Sequence, residues 1–129
     1  MTPTTLKTGS SDVMFTLITL DNYITVDINP DGIQGGGTMG WNRVLEMNNA
    51  GFGPAESNNG LATIDLSPYL TAYQQSGAKS VNLAIVVSNW TGGGSVKGTI
   101  TWPGNGSENF ENLDIPSWSS TQLAYTLVL

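Results

Sequence analysis

The stretch DINPDGIQGGGT, residues 27–38, carries oxygen-bearing side chains in the pattern with which a calcium-binding loop begins. Asp27, Asn29 and Asp31 occupy alternate positions and are followed by glycine, where such a loop turns sharply. The twelfth position, however, holds Thr38 in place of the glutamate that binds calcium through both oxygens. The apolar residues before the stretch are typical of a strand and not of the helix that precedes such a loop.

The same stretch contains Asn29-Pro30-Asp31-Gly32, a sequence typical of a β-turn. Proline presets the φ angle of the second turn position, and glycine is favoured at the last one. We therefore predict a turn here. A structural calcium ion, bound by Asp27 or Asp31 in a loop without flanking helices, is the alternative, and no other cofactor is expected.

Catalysis is not expected, because the chain has neither histidine nor cysteine. Their absence removes the commonest general base, the usual activator of a serine nucleophile and every thiolate. Carboxylate pairs alone can hydrolyse glycosides, but the sequence does not give their separation. The densest acidic group, Glu108, Glu111 and Asp114 in ENFENLD, is predicted to lie in a solvated loop. We predict that the protein is not an enzyme.

Aromatic residues form the second candidate site. Sugars stack on flat aromatic faces while neighbouring amides and carboxylates bind their hydroxyl groups. Trp90 follows Asn89 at the edge of a glycine-rich stretch, and Trp41 and Trp118 have similarly loop-like surroundings. We predict that these four residues contact a ligand or partner, with packing that anchors each loop as the alternative for the tryptophans. Trp102 instead continues an apolar strand face and is expected in the core.

The balance of charge excludes two classes of partner. Ten acidic residues against four basic ones give a net charge of −6, which repels phosphate backbones and anionic lipid surfaces. No apolar run approaches the roughly 20 residues that cross a bilayer. We predict no nucleic-acid partner and no membrane insertion.

The elements that must position these residues are mainly strands of a single domain, residues 1–129. Alternating apolar residues predict strands separated by turns, with Asp21-Asn22 as a tight hairpin and TGGG at 91–94 as a hairpin tip. Residues 35–59 are rich in glycine and asparagine and predict one strand, WNRVLEM, between long loops. The predicted strands are 12–20, 23–28, 41–47, 61–66, 81–89, 95–102 and 121–129.

One short helix is predicted near residues 68–76. Ser67 is its expected N-cap, Pro68 its first residue, and Gly77 lies just past its end. Leu70 and Tyr73 are its expected core-facing residues. With about eight strands in this length, we predict an all-β, two-sheet antiparallel β-sandwich of the jelly-roll type.

Residues 61–102 resemble the middle of galactose-binding-like jelly rolls and related carbohydrate-binding modules. The resemblance rests on the order strand, D-L-S-P-Y-L, short helix, glycine-containing turn and the strand V-N-L-A-I-V-V-S-N. It covers about a third of the chain and implies a jelly-roll fold with a sugar-binding role. It assigns no ligand residue, because no loop motif of those modules matches.

Two non-enzymatic functions compete. The first is a surface component of a phage virion, a capsid decoration or tail-associated module that acts through self-association or through contacts with capsid or tail proteins. Sparse charge, abundant Thr, Ser, Asn and Gly, and a start without the apolar segment of a secretory signal favour it. The alternative is a carbohydrate-binding module of a secreted polysaccharide-active enzyme, which the jelly-roll likeness and the tryptophans favour. We predict the virion location, with extracellular secretion as the alternative and glycans as a further candidate partner.

Overall fold

The computed structural model of the chain describes residues 2–31, 40–48, 55–56 and 60–129. Segments in which apolar and polar residues alternate form strands, because successive side chains of a strand point to opposite faces of the sheet. One helix lies between the strands. The elements are β1 (Thr4–Lys7), β2 (Met14–Asp21), β3 (Tyr23–Asp31), β4 (Asn42–Asn48), β5 (Ala55–Glu56), β6 (Ala62–Asp65), α1 (Ser67–Gln75), β7 (Ser80–Asn89), β8 (Gly94–Trp102), β9 (Gly106–Ile115) and β10 (Ser119–Val128).

The strands form two sheets that pack face to face, as predicted for an all-β sandwich. Sheet I has the order β1-β10-β7-β3-β4, and all its pairs are antiparallel except β1 with β10. Sheet II has the order β5-β2-β8-β9, with β6 also paired to β2. β5 pairs with residues 19–20 of β2 and β6 with residues 14–17, so the two short strands follow one another along the same edge.

Alternating side chains of both sheets fill the core between them. Val81, Leu83, Ile85 and Val87 of β7 are all buried, which confirms that they share one face. In sheet II the rings of Phe15 and Phe110 stack with centroids 5.2 Å apart. Their strands flank β8, which presents buried Val96, Gly98 and Ile100 to the same core. The predicted packing of Trp102 against this core is confirmed, although its side chain is only partly buried.

The predicted helix is present as α1, and its apolar residues Leu70 and Tyr73 are buried as expected. Its N-terminal cap is different from the prediction. Ser67 is the first helical residue, and the side chain of Asp65 accepts a hydrogen bond from the Ser67 amide at 2.9 Å. At the other end Gly77 adopts φ +99° and donates its amide to the Gln74 carbonyl oxygen, so glycine ends the helix as predicted.

Two predicted hairpins are wrong. Asp21-Asn22 joins β2 to β3, and residues 90–93 join β7 to β8, but in each case the two strands belong to different sheets. Both links therefore carry the chain across the core. A third link, residues 116–118, carries it from β9 to β10 in the same manner. A hairpin within one sheet occurs between β8 and β9, at residues 103–105.

These three links lie at one end of the sandwich, which we call the crossover end. The register shows this, because Tyr23 pairs with Ser88 and Asn89 pairs with Ser119. The opposite end, where Asp31 pairs with Ser80 and α1 joins β6 to β7, is called the helix end. No helix in the described part of the chain is long and apolar enough to cross a bilayer.

Candidate binding surface

The crossover end holds three aromatic residues on neighbouring strand ends. Hydrogen bonds from backbone amides set their positions. The Trp90 amide donates to the side-chain Oδ1 of Asn22 at 2.9 Å, and the Trp118 amide donates to the Trp90 carbonyl oxygen at 3.2 Å. The Asn22 amide in turn donates to the Ser88 carbonyl oxygen at 3.2 Å. Tyr23 of β3, Trp90 after β7 and Trp118 before β10 thus follow one another across sheet I. We call these three residues the aromatic row.

The rings of the aromatic row are accessible to a partner. Tyr23 and Trp90 are half-buried, with centroids 6.4 Å apart and planes inclined by 23°. Rings in contact at that separation are laterally offset by about 5 Å, which leaves part of each face uncovered. Trp118 is 76% exposed and adopts φ +60°, a conformation that bulky side chains rarely take. Its strained backbone presents a large apolar ring to solvent.

A chain of charged side chains lies beside the aromatic row on the outer face of sheet I. The Arg43 guanidinium donates to both carboxylate oxygens of Asp27, at 3.2 and 3.4 Å, and to Glu46 at 3.3 Å. Glu46 also accepts a hydrogen bond from the Tyr23 hydroxyl. That bond lowers the pKa of Glu46, to which Arg43 contributes further, and it raises the pKa of Tyr23. We call Asp27, Arg43 and Glu46 the charged chain.

The charged chain extends along two strands because of their register. Arg43 pairs with Asp27, and Glu46 pairs with Thr25, across the β3 and β4 ladder. A bulge between Val26 and Asp27 shifts this register by one residue and brings Arg43 to the same face as Glu46. Tyr23 lies diagonally opposite Glu46, within reach of long side chains.

Asn89 does not have the surface position that its predicted contact role requires. Its side chain is 1% exposed, and its Nδ2 donates to the carbonyl oxygens of Gly92 at 2.7 Å and Ile115 at 2.8 Å. The Asn89 Oδ1 is buried and makes no hydrogen bond with the described residues. Asn89 therefore ties β7 to the links of the crossover end from inside and cannot contact a partner at the surface.

Trp41 lies at the other end of the molecule. It precedes Asn42, which pairs with Ile28 and donates its side-chain amide to the Tyr73 hydroxyl of α1. The Trp41 side chain is 53% exposed. The structure therefore brings Trp90 and Trp118 together and places Trp41 at the helix end, where no single small ligand can contact all three.

The predicted turn at residues 29–32 is wrong, because β3 continues in extended form through Asn29, Pro30 and Asp31. Gly32 and the rest of the calcium-like stretch, through Thr38, lie outside the described residues. Asp27 and Asp31, the alternative calcium ligands, are four residues apart in a strand and hence separated by roughly 13 Å. The Asp27 carboxylate is also occupied by Arg43. Within the described ranges no three acidic side chains cluster closely enough to hold a metal ion.

The predicted acidic loop is also wrong, because Glu108, Glu111 and Asp114 belong to strand β9. This strand forms an edge of sheet II. Phe110 and Ile115 are buried, Gly106, Glu108 and Asn112 are partly covered, and its other residues are exposed. Charges on an edge strand oppose pairing with the edge of another sheet. The composition of this edge strand resembles that of a loop because both an edge strand and a loop are exposed to solvent.

An open groove of about 570 Å³ lies at the helix end of sheet II. Trp102, Met14 and Asp12 line it, together with the turn at residues 103–105. The Trp102 indole packs directly on the backbone of Gly106, where a side chain would overlap the ring. The groove is at the opposite end of the molecule from the aromatic row.

Comparisons with protein-family models, with curated proteins and with solved structures found no match to the chain. The likeness of residues 61–102 to galactose-binding-like jelly rolls thus rests on those residues alone.

Two parts of the candidate surface were not predicted from the sequence. Tyr23 appeared only as the first residue of a strand, and Arg43 and Glu46 appeared only as polar positions of WNRVLEM. Arg43 and Glu46 are three residues apart, and the alternation of a regular strand would place their side chains on opposite faces of the sheet. The bulge in the β3 and β4 ladder changes that relationship, and nothing in the sequence indicates the bulge.

Proposed function

We propose that this protein is a non-catalytic structural and binding protein, a surface component of a phage virion that acts through protein–protein contacts. The observation that carries the proposal is the placement of Trp41 and Trp118, which are 53% and 76% exposed, at opposite ends of the sandwich. A ligand in one pocket cannot cover both rings. A subunit with neighbours on two sides covers both, and large aromatic side chains are favoured at the centres of such contacts.

The distribution of charge supports a protein that contacts neighbours in a defined geometry. The edge strand β9 carries Glu108, Glu111 and Asp114, which oppose unspecific edge-to-edge pairing. The exposed tryptophans lie outside this edge. Assembly through the two ends, with the edge kept free, builds an ordered array in place of an aggregate.

A second candidate function is carbohydrate binding, as in a module of a secreted polysaccharide-active enzyme. The aromatic row favours it, because Tyr23 and Trp90 are nearly parallel and Glu46 bonds to the Tyr23 hydroxyl beside them. Aromatic faces next to ordered hydrogen-bonding groups suit a ring with one apolar face and several hydroxyls.

Light scattering on the purified protein, followed by glycan-array binding on the same sample, tests the two functions. For the particle subunit we expect a concentration-dependent oligomer whose association is weakened by Trp41→Ala and by Trp118→Ala, without loss of the folded state. Tyr69→Ala, which removes an exposed aromatic ring from α1, is the matched control. A monomer that binds a polysaccharide would overturn the first function and favour the second.

A further inference from the structure

We infer that the outer face of sheet I at the crossover end binds an uncharged saccharide, with pyranose rings stacked on the aromatic row and hydroxyl groups bound by Glu46. The inference rests on the second proposed function and names its site and substrate class. It competes with the subunit contact proposed for Trp118, because a saccharide and a neighbouring subunit cannot cover the same ring.

The arrangement of the aromatic row suits a sugar chain and not an isolated ring. Its members come from three successive strands of sheet I, and neighbouring strands are about 4.8 Å apart. Residues at the adjoining ends of β3, β7 and β10 are therefore spread over about 10 Å of backbone across the sheet, a length of about two pyranose units. Trp118 is the most exposed of them.

Hydrogen-bonding groups beside the rings are already ordered. Glu46 is held by the Tyr23 hydroxyl and by Arg43, so its carboxylate does not have to be immobilised when a ligand arrives. Each carboxylate oxygen has more than one acceptor site, and Glu46 can accept from a sugar hydroxyl in addition to its present donors. Preorganisation of this kind lowers the entropic cost of binding.

The charges of the site decide the class of saccharide. Asp27 and Glu46 carry two negative charges, and Arg43 supplies one positive charge that both carboxylates already share. The whole chain adds a net charge of −6. Among the described residues of this face a uronate or sulfate group would meet no unshared cation, so polyanionic saccharides are repelled.

The surroundings favour a saccharide over a protein as the occupant of this face. Protein interfaces have an apolar core. In the described ranges the large apolar side chains with high exposure are Trp41, Tyr69, Leu113 and Trp118. Of these only Trp118 belongs to the aromatic row, and the outer positions of the neighbouring strands are Ser88, Ser120, Gln122 and the partly exposed Val86. The face therefore offers one largely exposed ring and two half-buried rings among mainly polar side chains, with Val86 as the aliphatic exception.

Affinity electrophoresis in native gels tests the inference, with the neutral polysaccharides β-1,3-glucan, galactomannan and soluble chitin fragments and the polyanions alginate and polygalacturonate. We expect at least one neutral polysaccharide to retard the protein and neither polyanion to do so. Trp118→Ala should weaken binding about tenfold, as expected for a contact residue at a hot spot. Tyr69→Ala, which removes an exposed aromatic ring from α1 at the helix end, should bind like the wild type.

Tyr23→Phe keeps the ring and removes the hydroxyl that orders Glu46, so we expect a smaller loss than for Trp118→Ala. Three outcomes would each overturn the inference. They are retardation by a polyanion, the absence of retardation by every neutral polysaccharide tested, and equal affinities of the Trp118→Ala and Tyr69→Ala variants. Light scattering distinguishes a failure of the saccharide inference from a failure of the proposed particle function. An oligomer that Trp118→Ala dissociates, without any saccharide binding, would support the particle subunit and refute the saccharide site.

Discussion

The side-chain amide of Asn89 donates to the carbonyl oxygen of Ile115, 2.8 Å away and 26 residues later in the chain. Asn89 ends β7 of sheet I, and Ile115 ends β9 of sheet II. A second bond from the same amide, to Gly92, holds the link between β7 and β8. One buried side chain thus connects the two sheets at the end that carries the aromatic row.

Asn89→Ala is expected to lower the free energy of unfolding by about 2 kcal/mol, because it removes two hydrogen bonds, one of them the buried bond to the Ile115 carbonyl oxygen. Urea denaturation followed by tryptophan fluorescence measures the loss. Asn109→Ala, on the exposed face of β9, is the matched control and should change the free energy of unfolding by less than about 0.5 kcal/mol. Equal effects of the two substitutions would contradict the structural role of Asn89.

Gly98→Ala is expected to destabilise the core by about 2 kcal/mol. A β-carbon at this position would overlap the Phe110 ring and the Thr16 carbonyl oxygen, both of which belong to neighbouring strands. Thermal unfolding monitored by circular dichroism measures the effect. Gly93→Ala is the control, because a β-carbon there meets open space, and its melting temperature should stay at or slightly above that of the wild type. A wild-type melting temperature for Gly98→Ala would show that sheet II can separate its strands without cost.

Acid should weaken the hydrogen bonds that Asp65 accepts from Ser67 at the start of α1. Hydrogen bonds from Ser67, first from its hydroxyl and then from its amide, lower the pKa of Asp65. Because the pKa is lower in the folded state, the stabilisation is complete above the unfolded-state value near 4 and is lost as the pH falls through the folded-state value. Asp65→Ala should lower the melting temperature by a few degrees at neutral pH and by less in strong acid.

Asp65→Asn serves as the control for this pH dependence, since it keeps an acceptor oxygen and cannot be protonated in this range. We expect it to melt between the wild type and the alanine variant at neutral pH. A difference between wild type and Asp65→Ala that grows as the pH falls would contradict the sign of the pKa shift.

Removal of calcium should leave the stability of the protein unchanged. Asp27 is paired with Arg43, and Asp31 lies too far along the same strand to share an ion with it. Melting curves recorded with a chelator and with added calcium test this expectation. A rise of many degrees with calcium would reveal a site that binds the folded state, and Asp27→Asn would then show whether Asp27 is a ligand.

The core and the helix were predictable because each depends on local spacing. Alternation alone places Val81, Leu83 and Ile85 on one face, and proline before and glycine after an apolar pair frame α1. The links at Asp21-Asn22 and at residues 90–93 were not predictable in this way. A short polar link indicates that the chain reverses. It does not distinguish a hairpin within one sheet from a link that crosses to the opposite sheet.

The candidate surface depends on relationships that reach further along the chain. Trp90 and Trp118 were identified because tryptophan beside glycine, serine and asparagine is unusual in a strand core. Their proximity depends on the pairing of β7 with β10, and the contact of Tyr23 with Glu46 depends on a bulge. Sequence reasoning gave residue types, while strand pairing determined which of them meet. The buried position of Asn89 could not be predicted, because a buried asparagine and a surface asparagine look alike in the sequence.

The parallel pairing of β1 with β10 has a consequence for how the protein acquires its structure. Lys7 pairs with Val128 and Thr4 with Tyr125, so the first strand finds its partner among the last residues described. The central strand β7 likewise has β10 as one of its two neighbours. During synthesis β1 and one edge of β7 stay unpaired until β10 has left the ribosome. Sheet I therefore closes in a late step, and the nascent chain exposes apolar strand edges that other unfinished copies can capture before its own last strand arrives.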